Sequence, residues 1–236
     1  MRSISTDADG DLDLPGVTPS RQKRSRETTL ALLHRGAGLL RTRSLAELSI
    51  EALCAEVGVT VGAFYSRFAS KEAYFNALMA LAARDGEARL ADMRSPADAS
   101  LDARCHAIVS GVVGWIRDHE GVLRAALQHD DTRPDKWTTF KGLARATTAH
   151  ATPLLLPAMN KGNGKRNSRG HTAAKRRAIA FGFQIVLGTL VNAILNDPGP
   201  LSIRSKEMET RLAGCLLLLL QAEVTAQAEK TPPPRA

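Results

Sequence analysis

The chain has 236 residues, a formal net charge of +8 and three cysteines, which is enough sequence for one large or two small domains. Cys54, Cys105 and Cys215 show no CxxC spacing, which excludes an obvious disulfide framework and suits a reducing compartment. The first residues are acidic rather than apolar, unlike a signal peptide. The longest apolar run, 216–220 with its neighbours, is shorter than the roughly 18 residues of a spanning helix. These features predict a cytoplasmic protein without a membrane partner.

The N-terminal stretch divides by charge. Residues 1–20 contain four aspartates and one arginine, with Gly, Pro and Thr, and are predicted to be a disordered acidic arm. Four basic residues follow at Arg21, Lys23, Arg24 and Arg26. Two interpretations of this basic cluster stay open. It is either a solvated arm or a segment that follows a phosphate backbone or enters a minor groove.

A first amphipathic helix, with Leu30, Leu33, Ala37 and Leu40 along it, leads to the most informative segment, 49–68. An apolar stripe there recurs at i, i+3, i+4 and i+7, on Ile50, Leu53, Cys54 and Val57. Ser49 precedes the stripe as a candidate N-cap, and Gly58 follows it where a left-handed residue often ends a helix. Thr60 begins a new helix as its N-cap. The spacing predicts a helix-turn-helix.

The second helix of this motif, about 61–67, has two unlike faces. Phe64 and Phe68 lie four residues apart and are expected to pack on the apolar stripe. The opposite face carries small or weakly polar residues, which let a helix backbone come close to base edges in a major groove. Ser70 then begins another helix, with Lys71 in its first turn, where a cation is unfavourable unless a phosphate lies nearby. The alternatives are a solvated lysine and an ordinary helical hairpin with a glycine turn.

Residues 26–78 resemble the N-terminal domain of the TetR (tetracycline repressor-like) family of transcriptional regulators. The resemblance is carried by the ordered run Gly58, Gly62, Tyr65, Phe68, Ser70 and Lys71. It implies phosphate contacts from caps, hydroxyl groups or charges at Ser49, Thr60, Tyr65, Arg67 and Lys71. It implies that a small, mostly apolar face meets the bases at Val61, Gly62, Ala63 and Tyr65. Arg67 departs from the family, which often has histidine there, and nothing in the sequence explains Gly36 and Gly38 late in the first helix.

The remaining chain is predicted to be helical, so the fold class is all-α, with a DNA-binding domain over 21–84 and a helical domain over 85–227. Residues 228–236 are predicted to be a disordered tail. Helices are predicted over 71–94, 101–119, 120–129 and 135–156, the last one weakened near Pro153 and ended by Pro157. The basic stretch 161–177 has seven Lys or Arg and no acid. We interpret it as a solvated loop in preference to a second DNA contact.

Two strongly apolar helices are predicted over 172–196 and 203–227. Five consecutive leucines, 216–220, cover every side of the second helix, so we expect it to be buried nearly all round. Either the core of one domain or a partner helix pair across a two-fold axis can supply that burial. The TetR resemblance implies the second arrangement, a homodimer that presents two recognition helices to the half-sites of a pseudo-palindromic operator.

The resemblance also implies a small-molecule effector that is bound by the helical domain, and repression as the default activity. Candidate pocket residues are the aromatic and polar side chains of the middle helices, His106, Trp115, Trp137, Phe140 and Phe183; the alternative is that they belong to the core or the surface. No motif for an enzyme, metal or cofactor stands out. A metal cluster of His119, Glu120, His129, Asp130 and Asp131 is a weaker interpretation than helix-end charge. A helical protein–protein module with a vestigial DNA face is the remaining alternative.

Overall fold

The computed structural model describes residues 14–19, 22–128, 138–160 and 169–229. Within these residues the chain forms eight helices and, apart from one isolated β-bridge, no extended pairing. They are α1 Lys23–Leu39, α2 Ile50–Val57, α3 Val61–Tyr65, α4 Lys71–Asp92, α5 Leu101–Gln128, α6 Thr138–Asn160, α7 Arg169–Asn196 and α8 Lys206–Glu229. The all-α prediction is confirmed.

The helices belong to two compact units. Unit 1 contains Met1–Ala88 and Asp118–Lys141, and unit 2 contains Arg89–Arg117 and Gly142–Ala236. Unit 1 therefore includes the end of α5 as well as the segment that resembles a DNA-binding domain. Because α4 and α5 each begin in one unit and end in the other, the boundaries of the units do not coincide with the ends of these helices.

The core of unit 1 explains one of the two glycines late in α1. Tyr74 is completely buried and its hydroxyl donates to the Leu32 carbonyl at 2.7 Å. A Cβ on Gly36 would lie 1.7 Å from that hydroxyl oxygen, so only glycine leaves space for the tyrosine. Gly38 has no neighbouring heavy atom within 4 Å of the equivalent position. Burial raises the pKa of Tyr74, so its hydroxyl stays a donor at physiological pH.

The N-terminal stretch is more ordered than its composition predicts. Residues 14–19, which fall inside the predicted disordered arm 1–20, lie against unit 1. Leu14 is 4% exposed, and Val17 forms an antiparallel bridge with Phe68. Charge and glycine content predicted disorder here because they average over the stretch, whereas two apolar side chains are sufficient to anchor a short segment. Arg21 lies outside the described residues.

Two helix predictions are corrected. The predicted break between 101–119 and 120–129 is wrong, because α5 runs without interruption from Leu101 to Gln128. Glu120 pairs with Arg124 one turn later at 3.2 Å, and the buried Val122 and Leu123 continue the apolar face. The predicted end at Pro157 is also wrong, since α6 contains both Pro153 and Pro157. The helix continues because packing of the buried Leu155 and Met159 outweighs the lost amide donors.

Unit 2 centres on the close packing of α7 and α8. A Cβ on Gly182 would lie 2.5 Å from Leu216 Cδ1, so the two helices approach closely at this glycine. Their facing side chains are fully enclosed, including Phe183, Val186, Leu190, Leu212, Leu216 and Leu220. Lys175 is also enclosed, with Nζ donating to Met159 O at 3.1 Å and Asn160 Oδ1 at 2.6 Å. The interpretation of 161–177 as a solvated loop is therefore corrected for Lys175, while 161–168 lie outside the described residues.

The expectation that α8 is buried all round is not met within a single chain. Leu216 and Leu220 are buried, but Leu218 is 67% exposed and Cys215 is exposed. Helix α7 has the same division, with Phe181 54% exposed and Ile185 39% exposed. One flank of the α7–α8 pair therefore presents large apolar side chains to solvent.

One described helix has the length and composition of a membrane span. Residues Gly170–Asn196 have a mean hydropathy of 2.0 over their most apolar 18 residues, which differs from our expectation that no segment is long enough. A core helix of a soluble protein meets the same criterion. Since one face of α7 packs on α8, we interpret its apolarity as packing.

Candidate nucleic-acid interface

The serine at the start of α2 is a cap whose hydroxyl is fully used. Ser49 Oγ accepts from the Ala52 amide at 3.1 Å and donates to Glu51 Oε2 at 2.9 Å. A hydrogen bond from its own amide, then the Ser49 hydroxyl and the charge of Lys71, lower the pKa of Glu51. The Glu51 carboxylate is therefore ionised at neutral pH and competes with any phosphate for the Ser49 proton.

The turn between α2 and α3 has the geometry that the sequence predicts. Gly58 has φ of 76° in the left-handed region, and its amide donates back to Ala55 O at 3.2 Å. Thr60 then caps α3, with Oγ1 accepting from the Ala63 amide at 3.1 Å. The predicted stripe on α2 is confirmed, since Ile50, Leu53 and Cys54 are buried. The helix-turn-helix follows from these local signals alone.

A cluster of aromatic rings supports α3 from behind. Phe64 and Phe68 are fully buried with ring centroids 5.0 Å apart, and both contact the ring of Tyr74. Tyr65 packs edge-on against Phe64 at 5.2 Å. Because a helix of five residues is not stable alone, this cluster rather than intrinsic propensity fixes α3 in place.

The outer face of α3 is small and open. Gly62 and Ser66 are exposed, Val61 and Ala63 are partly exposed, and Tyr65 is 51% exposed. A Cβ added at Gly62 would meet only its own cap, Thr60 Oγ1, at 3.8 Å. The fold of the free protein therefore does not require glycine at position 62. This small, exposed surface, which we call the reading face, consists of Val61, Gly62, Ala63 and Tyr65.

Arg67 is engaged within the protein. Its Nη1 donates to the Ala63 carbonyl and to Ser66 Oγ, and its Nη2 donates to Ser25 Oγ on α1 at 3.3 Å. The guanidinium thus joins the end of α3 to the start of α1. The sequence predicts a phosphate contact at this position, and these partners give Arg67 a positioning role that local sequence does not reveal.

Lys71 also reaches a carbonyl of its own chain. Its Nζ donates to Ala46 O at 3.1 Å, across 25 residues of sequence. This contact is a third outcome beside the phosphate contact and the solvated lysine that the sequence suggested. An ammonium group has three donors, so two remain for a phosphate when one binds the Ala46 carbonyl.

The candidate effector residues have different environments. Phe183 and Phe140 are buried, Trp115 is half-buried, and His106 lies near Asp102 at 3.6 Å on the exposed side of α5. Trp137 lies outside the described residues. A separate cavity of about 260 Å³ in unit 1 is lined by Arg41, Thr42, Arg43, Ser44, Arg124, Ala125 and Gln128, none of which was predicted.

The candidate metal cluster does not form among the described residues. His119 Nε2 lies 2.8 Å from Asp85 Oδ2, and Glu120 pairs with Arg124. The other three members, at 129–131, lie outside the described residues. No group of three or more possible protein ligands for a metal occurs in the part of the chain that the structure describes.

Comparisons with known proteins agree with this geometry. Residues 32–78 match the family model "Bacterial regulatory proteins, tetR family". A TetR-family regulator structure from Streptomyces coelicolor aligns with a TM-score of 0.60 and 17% identity, covering 88% of this chain and 90% of that one. A similar structure from a Rhodococcus species, described as a putative TetR-family regulator, gives 0.59 and 14%, with 82% and 99% covered.

A third structure, GusR of Salmonella enterica, gives a TM-score of 0.57 and 16% identity, with 86% of this chain and 100% of that chain covered. No curated protein sequence matches the chain. The structural similarities establish the fold, and the family model assigns the segment that contains the reading face. On its N-terminal domain and its fold, the chain belongs to the TetR family of DNA-binding transcriptional regulators.

Proposed function

We propose that the protein is a ligand-responsive repressor, located in the cytoplasm and without enzymatic activity, that binds a pseudo-palindromic operator as a homodimer. The observation that carries the proposal is the reading face, a small and exposed surface held rigidly by the aromatic cluster of Phe64, Phe68 and Tyr74. A rigid short helix with an open backbone suits insertion into a major groove. The test is selection of a duplex from a randomised library by the full chain. Recovery of a two-fold symmetric site supports the proposal, and recovery of unrelated sequences contradicts it.

The proposed homodimer forms through α7 and α8. Phe181, Ile185 and Leu218 are large apolar side chains that the single chain leaves exposed on this pair of helices. Burial of apolar surface contributes about 25 cal/mol per Å², so covering these side chains with the same flank of a second copy favours association. A two-fold dimer brings two reading faces to successive half-sites on one side of the duplex.

Introducing charge into this flank is expected to produce monomers. In the double variant Phe181→Glu and Leu218→Glu, four carboxylates would meet in the interface of one dimer, and like charges without partners are strongly unfavourable there. Light scattering at micromolar concentration should show a dimer for the unchanged chain and a monomer for the variant. Affinity for a full operator should fall at least about tenfold, which is roughly 1.4 kcal/mol. Ala103→Glu, at an exposed position on α5, is the control. A dimeric double variant would contradict this interface.

We further propose a division of labour within the interface. Ser49, Thr60, Tyr65 and Lys71 contact phosphates, whereas the reading face contacts bases, with apolar contacts from Val61 and Ala63 to thymine methyl groups. Since Arg67 already has partners on α1 and α3, it contributes through position first and charge second.

Lys71→Ala and Val61→Ala are expected to separate these roles. Loss of the Lys71 charge should weaken binding to all duplexes and reduce the slope of log K against log salt by about one. Loss of the two Val61 methyl groups should change sequence preference and leave the salt slope unchanged. Fluorescence anisotropy with the selected operator and a random duplex of equal length measures both quantities. Equal losses on both duplexes for both variants would contradict the division.

The effector site is proposed within the helical domain, with candidate lining residues His106, Trp115, Trp137, Phe140 and Phe183. The support is chemical, since a tryptophan with a neighbouring imidazole suits a mainly apolar molecule with a polar group. Because the chain has only two tryptophans, quenching of their fluorescence by added metabolites reports binding directly.

A further inference from the structure

We propose that residues 14–19, which we call the strap, position the recognition helix α3 and so set the affinity and the specificity of DNA binding. The inference rests on the proposed DNA-binding role of the reading face. It assigns a function to a segment that precedes the helices, whose sequence indicated only an acidic, disordered arm. The residues of the strap are positioning residues, because they contact the protein beside the interface rather than the bases.

The strap is held by an apolar anchor and by backbone hydrogen bonds. Leu14 is 4% exposed, and its carbonyl accepts from the Val17 amide at 3.1 Å, which closes a turn. Val17 then pairs with Phe68 in an antiparallel bridge. The Thr18 amide donates to the Arg67 carbonyl at 2.8 Å. These contacts place the strap directly on the two residues that follow α3.

Gly16 permits the close approach of the strap to α4. Its φ is +82°, in the left-handed region that favours glycine, and an added Cβ would lie 2.5 Å from the Ala73 carbonyl oxygen. Both the backbone conformation and the space therefore exclude a side chain. The neighbour is backbone in the first turn of α4 and cannot move aside as a flexible side chain would.

The strap and α1 meet at Arg67. The carbonyl of this residue accepts from the strap, while its guanidinium donates to Ala63 O in α3 and to Ser25 Oγ in α1. Arg67 thus links three segments at the C-terminal end of the recognition helix. Since α3 has only five residues, its direction depends on such tertiary links.

Loss of the strap is expected to act on the orientation of α3 more than on the fold. The aromatic cluster still buries Phe64, but the end of α3 loses one of its links and samples more orientations. If the binding-competent orientation falls to about one tenth of the population, the apparent operator Kd rises about tenfold. Phosphate contacts tolerate this motion better than base contacts, so random DNA should be affected less.

The experiment compares two truncations and two glycine variants of the full chain. Deleting residues 1–19 removes the strap, and deleting 1–13 removes the upstream aspartates and keeps it. Gly16→Ala disrupts the strap without changing charge, and Gly10→Ala is the same chemical change upstream of it. Each protein is titrated with the operator duplex that the unchanged chain selects and with a random duplex of equal length. Thermal unfolding by circular dichroism is measured in parallel.

The strap proposal expects a fall of about tenfold in the operator-to-random affinity ratio for the 1–19 deletion and for Gly16→Ala. The 1–13 deletion and Gly10→Ala should keep the ratio of the unchanged chain. A ratio unchanged in Gly16→Ala and in the longer deletion overturns the proposal, as does an equal fall in both deletions. If the unchanged chain binds no duplex at all, the proposed function fails, and the strap proposal fails with it. Should the longer deletion not fold, the two glycine variants decide.

Discussion

Replacing Gly36 with alanine is expected to destabilise the DNA-binding unit by about 2–3 kcal/mol, the upper part of the range for overpacked cores. The added Cβ would lie 1.7 Å from Tyr74 Oη and 2.8 Å from its Cζ. Tyr74 cannot retreat easily, because its ring is fully buried against Phe64 and Phe68 and its hydroxyl donates to Leu32 O. Chemical denaturation measured by circular dichroism gives the free energy of unfolding.

Gly38→Ala is the matched control for this prediction. It is also a glycine-to-alanine change in α1, only two residues away, but its Cβ position has no neighbour within 4 Å. Because alanine favours a helix by up to about 1 kcal/mol over glycine, this variant should be more stable than the unchanged chain. Equal effects of the two substitutions would contradict the steric explanation.

A second substitution identifies the clashing atom. Tyr74→Phe removes the hydroxyl and leaves Leu32 O without its donor, so alone it should cost about 1 kcal/mol. Combined with Gly36→Ala it should recover part of the loss, since the contact at 1.7 Å disappears and the contact at 2.8 Å remains. The two substitutions are therefore expected to be non-additive. Additive effects would show that the glycine is required for another reason.

The parts of the fold that the sequence predicts are those with local causes. Ser49, Gly58 and Thr60 define the helix-turn-helix because each acts on amides or carbonyls within three or four residues of itself. The same holds for Phe64 and Phe68, which share a face by spacing alone. The break assigned within α5 failed for a related reason, because a glycine at 121 was given more weight than the continuous apolar face.

The parts that the sequence does not predict depend on contacts between distant residues. Gly36 is explained by Tyr74, 38 residues later in the chain, and the role of Arg67 depends on Ser25, 42 residues earlier. The strap joins 14–19 to the turn after α3. A retrospective signal exists in the apolar pair Leu14 and Val17 around a glycine, but composition averaged over 1–20 conceals it. Exposure of Leu218 likewise depends on how α8 packs, which leucine content does not decide.

Gly62→Ala is expected to have opposite effects on stability and on DNA binding. In the free protein the new methyl group meets only Thr60 Oγ1, at 3.8 Å, which is ordinary van der Waals contact. Alanine also favours α3, so the free energy of unfolding should rise by up to about 1 kcal/mol. On the operator, the methyl group occupies the space through which the backbone of the reading face approaches the base edges. Affinity should fall at least about tenfold, or roughly 1.4 kcal/mol.

This opposition separates a reading role from a structural one, because damage to the fold lowers both quantities together. The salt slope of operator binding should stay near that of the unchanged chain, since no phosphate contact is lost. Gly38→Ala serves as the control here as well, with raised stability and unchanged affinity. Gly62→Leu should deepen the loss of operator binding while unfolding stays close to that of the alanine variant, because position 62 is exposed and open. Operator binding by Gly62→Ala at the affinity of the unchanged chain would show that this backbone does not approach the bases, and would place recognition on Tyr65 and the flanking side chains instead.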